Sequence, residues 1–195
     1  MMNEKMNAID GSKASLAIAP AMGESCQAEG VYTFRCYKSA EDMTLLWEDT
    51  IDNVVCTVGK NLMLQTTLTG SAYTVTGPYM GLISSVSYTA VAAADTMASH
   101  TGWTEAGSTN APTFAARGTP AFGTAASGAI SLSSATSFTM TGAGTLVGAF
   151  ITYGPGAVST LMSTAGTLLS AGAFTGGNQP VNSGNIVQVS YSLSL

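Results

Sequence analysis

Charged side chains are almost missing from the second half of this 195-residue chain. After Glu105 the sequence contains no acidic residue and a single basic one, Arg117. An average globular domain is about one quarter charged, and charges of both signs normally cover its surface. Gly, Ser, Thr and Ala stand here in short runs between apolar β-forming residues. Such a surface is better suited to contact with other protein copies than to an isolated monomer in solution.

The charges that remain argue against a nucleic acid partner. All eleven acidic residues and five of the six basic ones precede residue 106, and the formal net charge is −5. A protein that binds nucleic acid needs a basic stripe to neutralise phosphates, and this sequence has none.

Long apolar runs are also missing, which argues against a membrane partner. A membrane-spanning helix needs about 20 continuous apolar residues, whereas the longest candidate here, residues 145–153, is the length of a strand. Residues 1–19 lack the basic start and apolar core of a secretion signal. We therefore expect synthesis in a cytoplasm.

Cysteine is scarce, and its pattern does not suggest a metal site. Cys26, Cys36 and Cys56 form an odd set whose spacing does not match a zinc site, and no histidine lies near them. Free buried thiols in a reducing cytoplasm are the favoured interpretation, and a Cys26–Cys36 disulfide is the alternative.

The patterns that are present predict a mainly β protein, an antiparallel sandwich or jelly-roll-like fold with one short helix and an extended N-terminal arm. Residues 1–29 are small, polar and Ala/Met-rich with little periodicity, and they form the predicted arm. Residues 30–195 form a single β domain. Within it, residues 30–70 are a hairpin plus helix, and residues 71–195 are the main β body.

The predicted hairpin pairs residues 31–37 with residues 44–53. A helix follows over residues 53–68, where apolar residues recur near one helical face, with Gly70 in place for a C-terminal cap. Gly59 inside that helix costs roughly 1 kcal/mol relative to alanine. Further strands are predicted at residues 79–84, 114–117, 128–133, 137–141, 145–153, 167–174 and 185–195.

The last predicted strand alternates cleanly between apolar and polar residues. Its apolar residues predict one buried face, and its polar residues predict a solvent-exposed face without charge. The apolar set is Val187, Val189, Tyr191, Leu193 and Leu195, and the polar set is Gln188, Ser190, Ser192 and Ser194. Strand edges without lysine or other blunting devices recruit further strands. The edges are therefore covered by neighbouring subunits, or the protein tends to aggregate.

Three titratable residues in the centre of the chain could build a catalytic or metal site. Asp95, His100 and Glu105 recur five apart, and Ser99 or Ser108 could serve as a nucleophile. A spacing of five aligns residues neither on a helix face nor on a strand. We therefore favour hydrogen bonding within a loop, with Asp95 as a turn or cap residue.

Two glycine-rich stretches are read as turns. Gly142 and Gly144 flank one alanine, and Gly176 precedes Gly177, but neither pair is followed by Lys-Ser/Thr or opens a periodic helix. The sequence thus predicts no catalytic, cofactor-binding or metal-binding residue.

Aromatic residues cluster in the first hairpin and recur in the central loop. They could form a platform for carbohydrate or a partner, although core packing is the favoured use. The set is Tyr32, Phe34, Tyr37, Trp47 and Trp103.

Three motifs carry a resemblance to a known family. In order, they are the T-V-G-K-N helix start within residues 52–61, the G-L-I strand within residues 79–85, and the long D-T-M-A-S-H-T-G-W-T-E loop within residues 93–105. The chain resembles a family of small virion structural proteins of tailed bacteriophages. The resemblance covers residues 30–195, including a strand around Val147, residues 166–174 and the closing strand at residues 187–195. The arm lies outside it.

The resemblance implies a virion component without enzymatic activity, in which Asp95, His100, Trp103 and Glu105 belong to a structural loop. We expect a capsid decoration or cement protein that contacts copies of itself and the major capsid protein. A tail or head–tail connector component is the alternative, and a host-surface or glycan-binding module is a second one.

Overall fold

The computed structural model describes residues 28–69 and 76–195. Most of the predicted arm, together with Cys26 and the predicted helix cap Gly70, lies outside the described residues. Of the two described residues in the predicted arm, Ala28 packs against the core and Glu29 begins the first strand.

The described chain is mainly β and antiparallel, with one helix, as predicted. The elements in chain order are β1 (Glu29–Tyr37), β2 (Leu45–Val55), α1 (Thr57–Leu68), β3 (Tyr79–Ser84), β4 (Thr104–Glu105), β5 (Ala129–Ser131), β6 (Thr136–Thr139), β7 (Gly144–Tyr153), β8 (Thr167–Ala173), β9 (Gln179–Val181) and β10 (Ile186–Ser194). Within this part of the chain, no helix is long and apolar enough to cross a membrane.

Strand β2 joins two antiparallel layers into a sandwich-like fold. Most of β2 pairs with β1, whereas Val54 and Val55 at its end pair with β8. The strand order is β4-β3-β7-β8-β2-β1-β10-β5, with β6 on β10 and β9 on β7. The first layer is thus β1, β10, β5, β6 and the body of β2, and the second is β8, β7, β3, β4 and β9.

The predicted hairpin of β1 and β2 is present, and its alternation sets which residues are buried. Tyr32, Phe34 and Cys36 are fully buried, while their neighbours in sequence are more exposed. Tyr32 lies opposite Ile51, so two buried residues meet in the paired register. Period-two alternation of this kind fixes the register, because a slip by one residue would expose the apolar set.

Helix α1 begins four residues later than the predicted range. The residues predicted as its first turn continue β2 instead, since Val54 and Val55 gain strand partners in β8. A close contact with β8 explains why glycine stands at position 59 despite its low helix propensity. A Cβ at Gly59 would lie 2.8 Å from both the Cα and the carbonyl oxygen of Leu169, so glycine allows the helix to rest on the β8 backbone.

The second layer is buried on both faces. Leu82 and Leu146 lie in the main core between the layers, whereas Ile83 and Phe150 lie in a second cluster with Trp103 on the opposite face. Strands covered on both faces read as continuous apolar runs rather than alternating ones. This explains the apolar sequences of β3 and β7, whose predicted positions are confirmed.

The ends of the strand order are short strands. β4 has two residues and β5 has three. Very short edge strands are one way in which proteins limit edge-to-edge pairing. These two edges are therefore short, whereas residues 45–53 of β2, at the edge of the first layer, have strand partners only in β1.

Two further sequence predictions are wrong in detail. Residues 114–117 do not form a strand, because the chain bends there and only Gly118 pairs, through two 2.9 Å hydrogen bonds with Met80. Leu195 is 62% exposed rather than buried, since β10 ends at Ser194. The other four apolar residues of β10 are buried as predicted.

We predict that Gly59→Ala lowers the free energy of unfolding by about 1–3 kcal/mol, although alanine is the better helix former by about 1 kcal/mol. The added methyl group would force the helix away from β8. Urea denaturation measures the change, and Asn61→Ala on the exposed side of the same helix is the matched control. A Gly59→Ala protein as stable as that control would contradict the close contact.

Candidate functional site

A buried ion pair joins the last acidic residue to the only charged residue beyond it. Arg117 Nε donates to Glu105 Oε1 and Arg117 Nη2 donates to Glu105 Oε2, both at 2.8 Å. The Arg117 side chain is fully buried and that of Glu105 is 4% exposed. Two parallel charge-assisted bonds of this kind hold a carboxylate more firmly than a single contact does.

The strand order brings these two residues together. Glu105 pairs with Ile83 on β3, and Gly118 pairs with Met80 on the same strand. The two segments that carry Glu105 and Arg117 therefore both lie beside β3. The guanidinium also lies over the Phe150 ring, with 5.3 Å from its central carbon to the ring centroid.

The loop after β7 completes the hydrogen bonding of the pair. Arg117 donates to the carbonyl oxygens of Ser163 at 2.7 Å and Val158 at 3.2 Å. The Met162 N–H donates to Glu105 Oε2 at 2.7 Å, and Met162 has a φ of 61°. A residue other than glycine rarely adopts this left-handed conformation, so the carboxylate helps to hold the loop in an uncommon shape.

This burial leaves residues 106–195, all of which the structure describes, without a charged side chain at the surface. Their exposed polar atoms are hydroxyls, amides and backbone groups. Ser137 and Ser190 on β6 and β10 are examples. We call this the uncharged surface, and it is the candidate functional site.

The central loop is built around Trp103. The indole is 2% exposed, packs against Phe150 at 5.1 Å between ring centroids, and donates from Nε1 to Asp95 Oδ2 at 2.9 Å. His100 stacks on the indole at 3.9 Å, and its Nδ1 lies 3.0 Å from the Trp103 carbonyl oxygen. Asp95 Oδ2 also accepts from the Ala92 N–H at 2.9 Å, as expected for a turn residue.

The three titratable residues therefore have different partners. Asp95 binds the indole and a backbone N–H, His100 stacks on the indole, and Glu105 binds Arg117. Across residues 28–69 and 76–195, no group of three His, Cys, Asp or Glu side chains is placed to hold a metal ion.

The hairpin aromatics mostly pack in the core. Tyr32 and Phe34 are fully buried, and the Tyr32 hydroxyl lies 2.6 Å from Ser170 Oγ in the other layer. Trp47 is partly buried, with its ring nearly perpendicular to that of Phe174 and its Nε1 donating to a backbone carbonyl. With Trp103 also buried, these aromatics do not present a shared exposed platform.

The two described cysteines are free and buried. Burial raises the pKa of the Cys36 thiol to about 11 and that of Cys56 to about 12. Both remain protonated at neutral pH, so they are poor nucleophiles and poor metal ligands.

Comparison with known proteins gives no relative. No protein-family model, curated protein or solved structure matches the chain.

The Glu105–Arg117 pair was not predicted from the sequence, although the sequence holds a signal for it. An isolated charge in a long uncharged stretch has to be either exposed or paired, since an unpaired buried charge is very costly. The nearest preceding charge along the chain is Glu105. The backbone partners of Arg117 in the loop after β7 leave no such signal in the sequence, because any residue type can supply a carbonyl oxygen.

We predict that Glu105→Gln lowers the free energy of unfolding by about 3–5 kcal/mol, because Arg117 remains buried without a counter-charge. Urea denaturation measures the loss. Glu48→Gln is the matched control, since Glu48 pairs with Arg35 in an exposed ion pair and should change stability far less.

The double variant Glu105→Gln with Arg117→Met distinguishes the contribution of the ion pair to stability from that of the contacts around it. It should be more stable than Glu105→Gln alone, since an apolar side chain replaces the unpaired charge. Equal losses for both would show that the contacts of Glu105 with the loop, rather than the ion pair, matter most.

We also predict that Asp95→Ala lowers stability by about 1–3 kcal/mol, because the buried Trp103 N–H then lacks an acceptor. Thermal unfolding followed by tryptophan fluorescence measures the change. Ser99→Ala in the same loop, where the side chain is exposed, is the control. An Asp95→Ala protein with the thermal midpoint of the control would contradict the role of this bond.

Proposed function

We propose that this protein is a non-enzymatic structural component of a bacteriophage virion, a capsid decoration or cement protein that stabilises the shell through subunit contacts. The observation that carries the proposal is the uncharged surface. Arg117, its only charged residue, is buried and is neutralised by Glu105 inside the protein. The motif resemblance over residues 30–195 supplies the biological setting.

The physical argument concerns what such a surface can bind. Hydroxyl, amide and backbone groups lose less on desolvation than charges do, and charged residues are depleted at the cores of protein interfaces. A surface of this composition can therefore be buried against copies of itself and against a major capsid protein without leaving unpaired charges.

We propose further that this protein has no catalytic activity. Asp95, His100 and Glu105, the side chains best suited to acid–base work in the later part of the chain, hold the central loop and the buried ion pair together. A catalytic role would compete with those contacts.

Co-sedimentation of the purified protein with capsid shells that lack it tests the proposal. We expect saturable binding whose affinity changes less than about twofold between 0.05 and 0.5 M salt, because screening acts on charges and the proposed contact residues, within 106–195, expose no charged side chain. The double variant Arg35→Gln with Glu48→Gln, in the charged half, is the control and should bind equally well. Absent or steeply salt-dependent binding would contradict the proposal.

Image reconstruction of the virion distinguishes a position on the capsid from a position in the tail or connector. Copies arranged over the capsid lattice support decoration. Copies confined to the tail axis would instead support the tail or connector alternative.

A further inference from the structure

An apolar groove lies between helix α1 and the place where β1 begins and β10 ends. Met63, Leu64 and Leu68 form its helical wall, and Ala28 and Leu195 form the opposite wall. The groove has a volume of about 390 Å³. We call it the α1 groove.

The walls of the α1 groove expose unusually large apolar side chains. Leu64 is 57%, Leu68 75% and Leu195 62% exposed. Three large aliphatic side chains around one concave site form a patch of the kind that marks an interaction site, unlike single exposed leucines.

The chain outside the described residues leaves from this groove. Ala28, the first residue of the described chain, forms part of its wall. Twenty-seven residues precede it, and residues 14–23 among them carry no charge. Whatever occupies the groove, this segment starts beside it.

We propose that residues 14–22 of the same chain occupy the α1 groove. Although the first 29 residues as a whole show little periodicity, the large apolar residues Leu16, Ile18 and Met22 all stand at even positions. In an extended chain such residues share one face. The intervening odd positions hold only Ser and Ala.

Lengths and charges are compatible with this placement. Six residue steps, from Leu16 to Met22, span about 20 Å when extended, and the 12 residues of α1 span about 18 Å. Lys60 lies at the end of the groove and forms no ion pair within the described residues. Glu24, four residues before Ala28, is close enough in the chain to reach it.

The occupant is the same chain rather than a second copy because the tether is short. Only residues 23–27 separate the segment from the groove wall. A short tether gives an effective concentration in the millimolar range, well above that of a second copy in dilute solution. This inference concerns the isolated chain and does not depend on the proposed virion role.

Disulfide trapping in the full-length protein tests the proposal. Ile18→Cys is combined with Leu64→Cys, and Cys26→Ser removes the nearby native thiol. Under mild oxidation at low protein concentration, we expect a cross-linked monomer in about tenfold higher yield than in either control, since a disulfide requires Cα atoms within about 7 Å.

The two controls change one partner each. Ala19→Cys with Leu64→Cys presents the opposite face of the segment, and Ile18→Cys with Leu46→Cys uses a leucine of similar exposure on the hairpin. Equal yields in all three proteins would overturn the proposal. Cross-links formed only between chains would also overturn it and would indicate exchange of the segment between copies.

Methionine oxidation gives a second readout with the native segment. Docking shields Met22, so Leu64→Ser combined with Leu68→Ser should raise the rate of Met22 oxidation by peroxide several-fold, as measured by peptide mass spectrometry. Leu46→Ser is the control and should leave the rate unchanged. An equal rate in all three proteins, including the unaltered one, would overturn the docking.

Discussion

The buried pair of Glu105 and Arg117 is the interaction on which the later half of the structure depends. Burying two charges costs several kcal/mol for each ion, and the pair offsets this only because every contact is well made. Two bonds join the side chains, two carbonyl oxygens accept from the guanidinium, and one backbone N–H donates to the carboxylate. These contacts tie β4, the segment at Gly118 and the loop after β7 to one another. A pair so dependent on its surroundings specifies one arrangement of these three segments.

The same pair explains how the surface becomes uncharged. A chain with one arginine in its last ninety residues would ordinarily expose it to water. Here the fold draws Arg117 inside, next to the last acidic residue, and the surface that remains is made of neutral groups. The two ends of the strand order, β4 and β5, are short, which limits pairing through the backbone at those edges.

The sequence predicted those elements whose pattern depends on local alternation or on a continuous apolar run. The hairpin, β3, β7 and β10 belong to this group, because burial on one face or on both faces leaves a direct trace in residue order. Elements that depend on distant pairing were misplaced. Val54 and Val55 suit a helix as well as a strand, and only their pairing with β8 decides between the two. Residues 114–117 have strand composition, yet the chain bends there, and the Arg117 N–H donates to the Ser159 carbonyl oxygen in the loop after β7 rather than to a strand.

Among the candidate catalytic residues of the sequence, the loop role of Asp95 and His100 could be predicted, because turn residues hydrogen-bond close to themselves in sequence. The position of Leu195 could not. The alternation of β10 assigns Leu195 to the buried set, but a residue is buried only where a facing layer extends over it. The strand ends first, and Leu195 lines the α1 groove instead. Because Glu29 pairs with Ser194, the start of β1 is held at the same place. The register of the outermost strand pair thus creates the apolar groove at the point where the N-terminal segment departs.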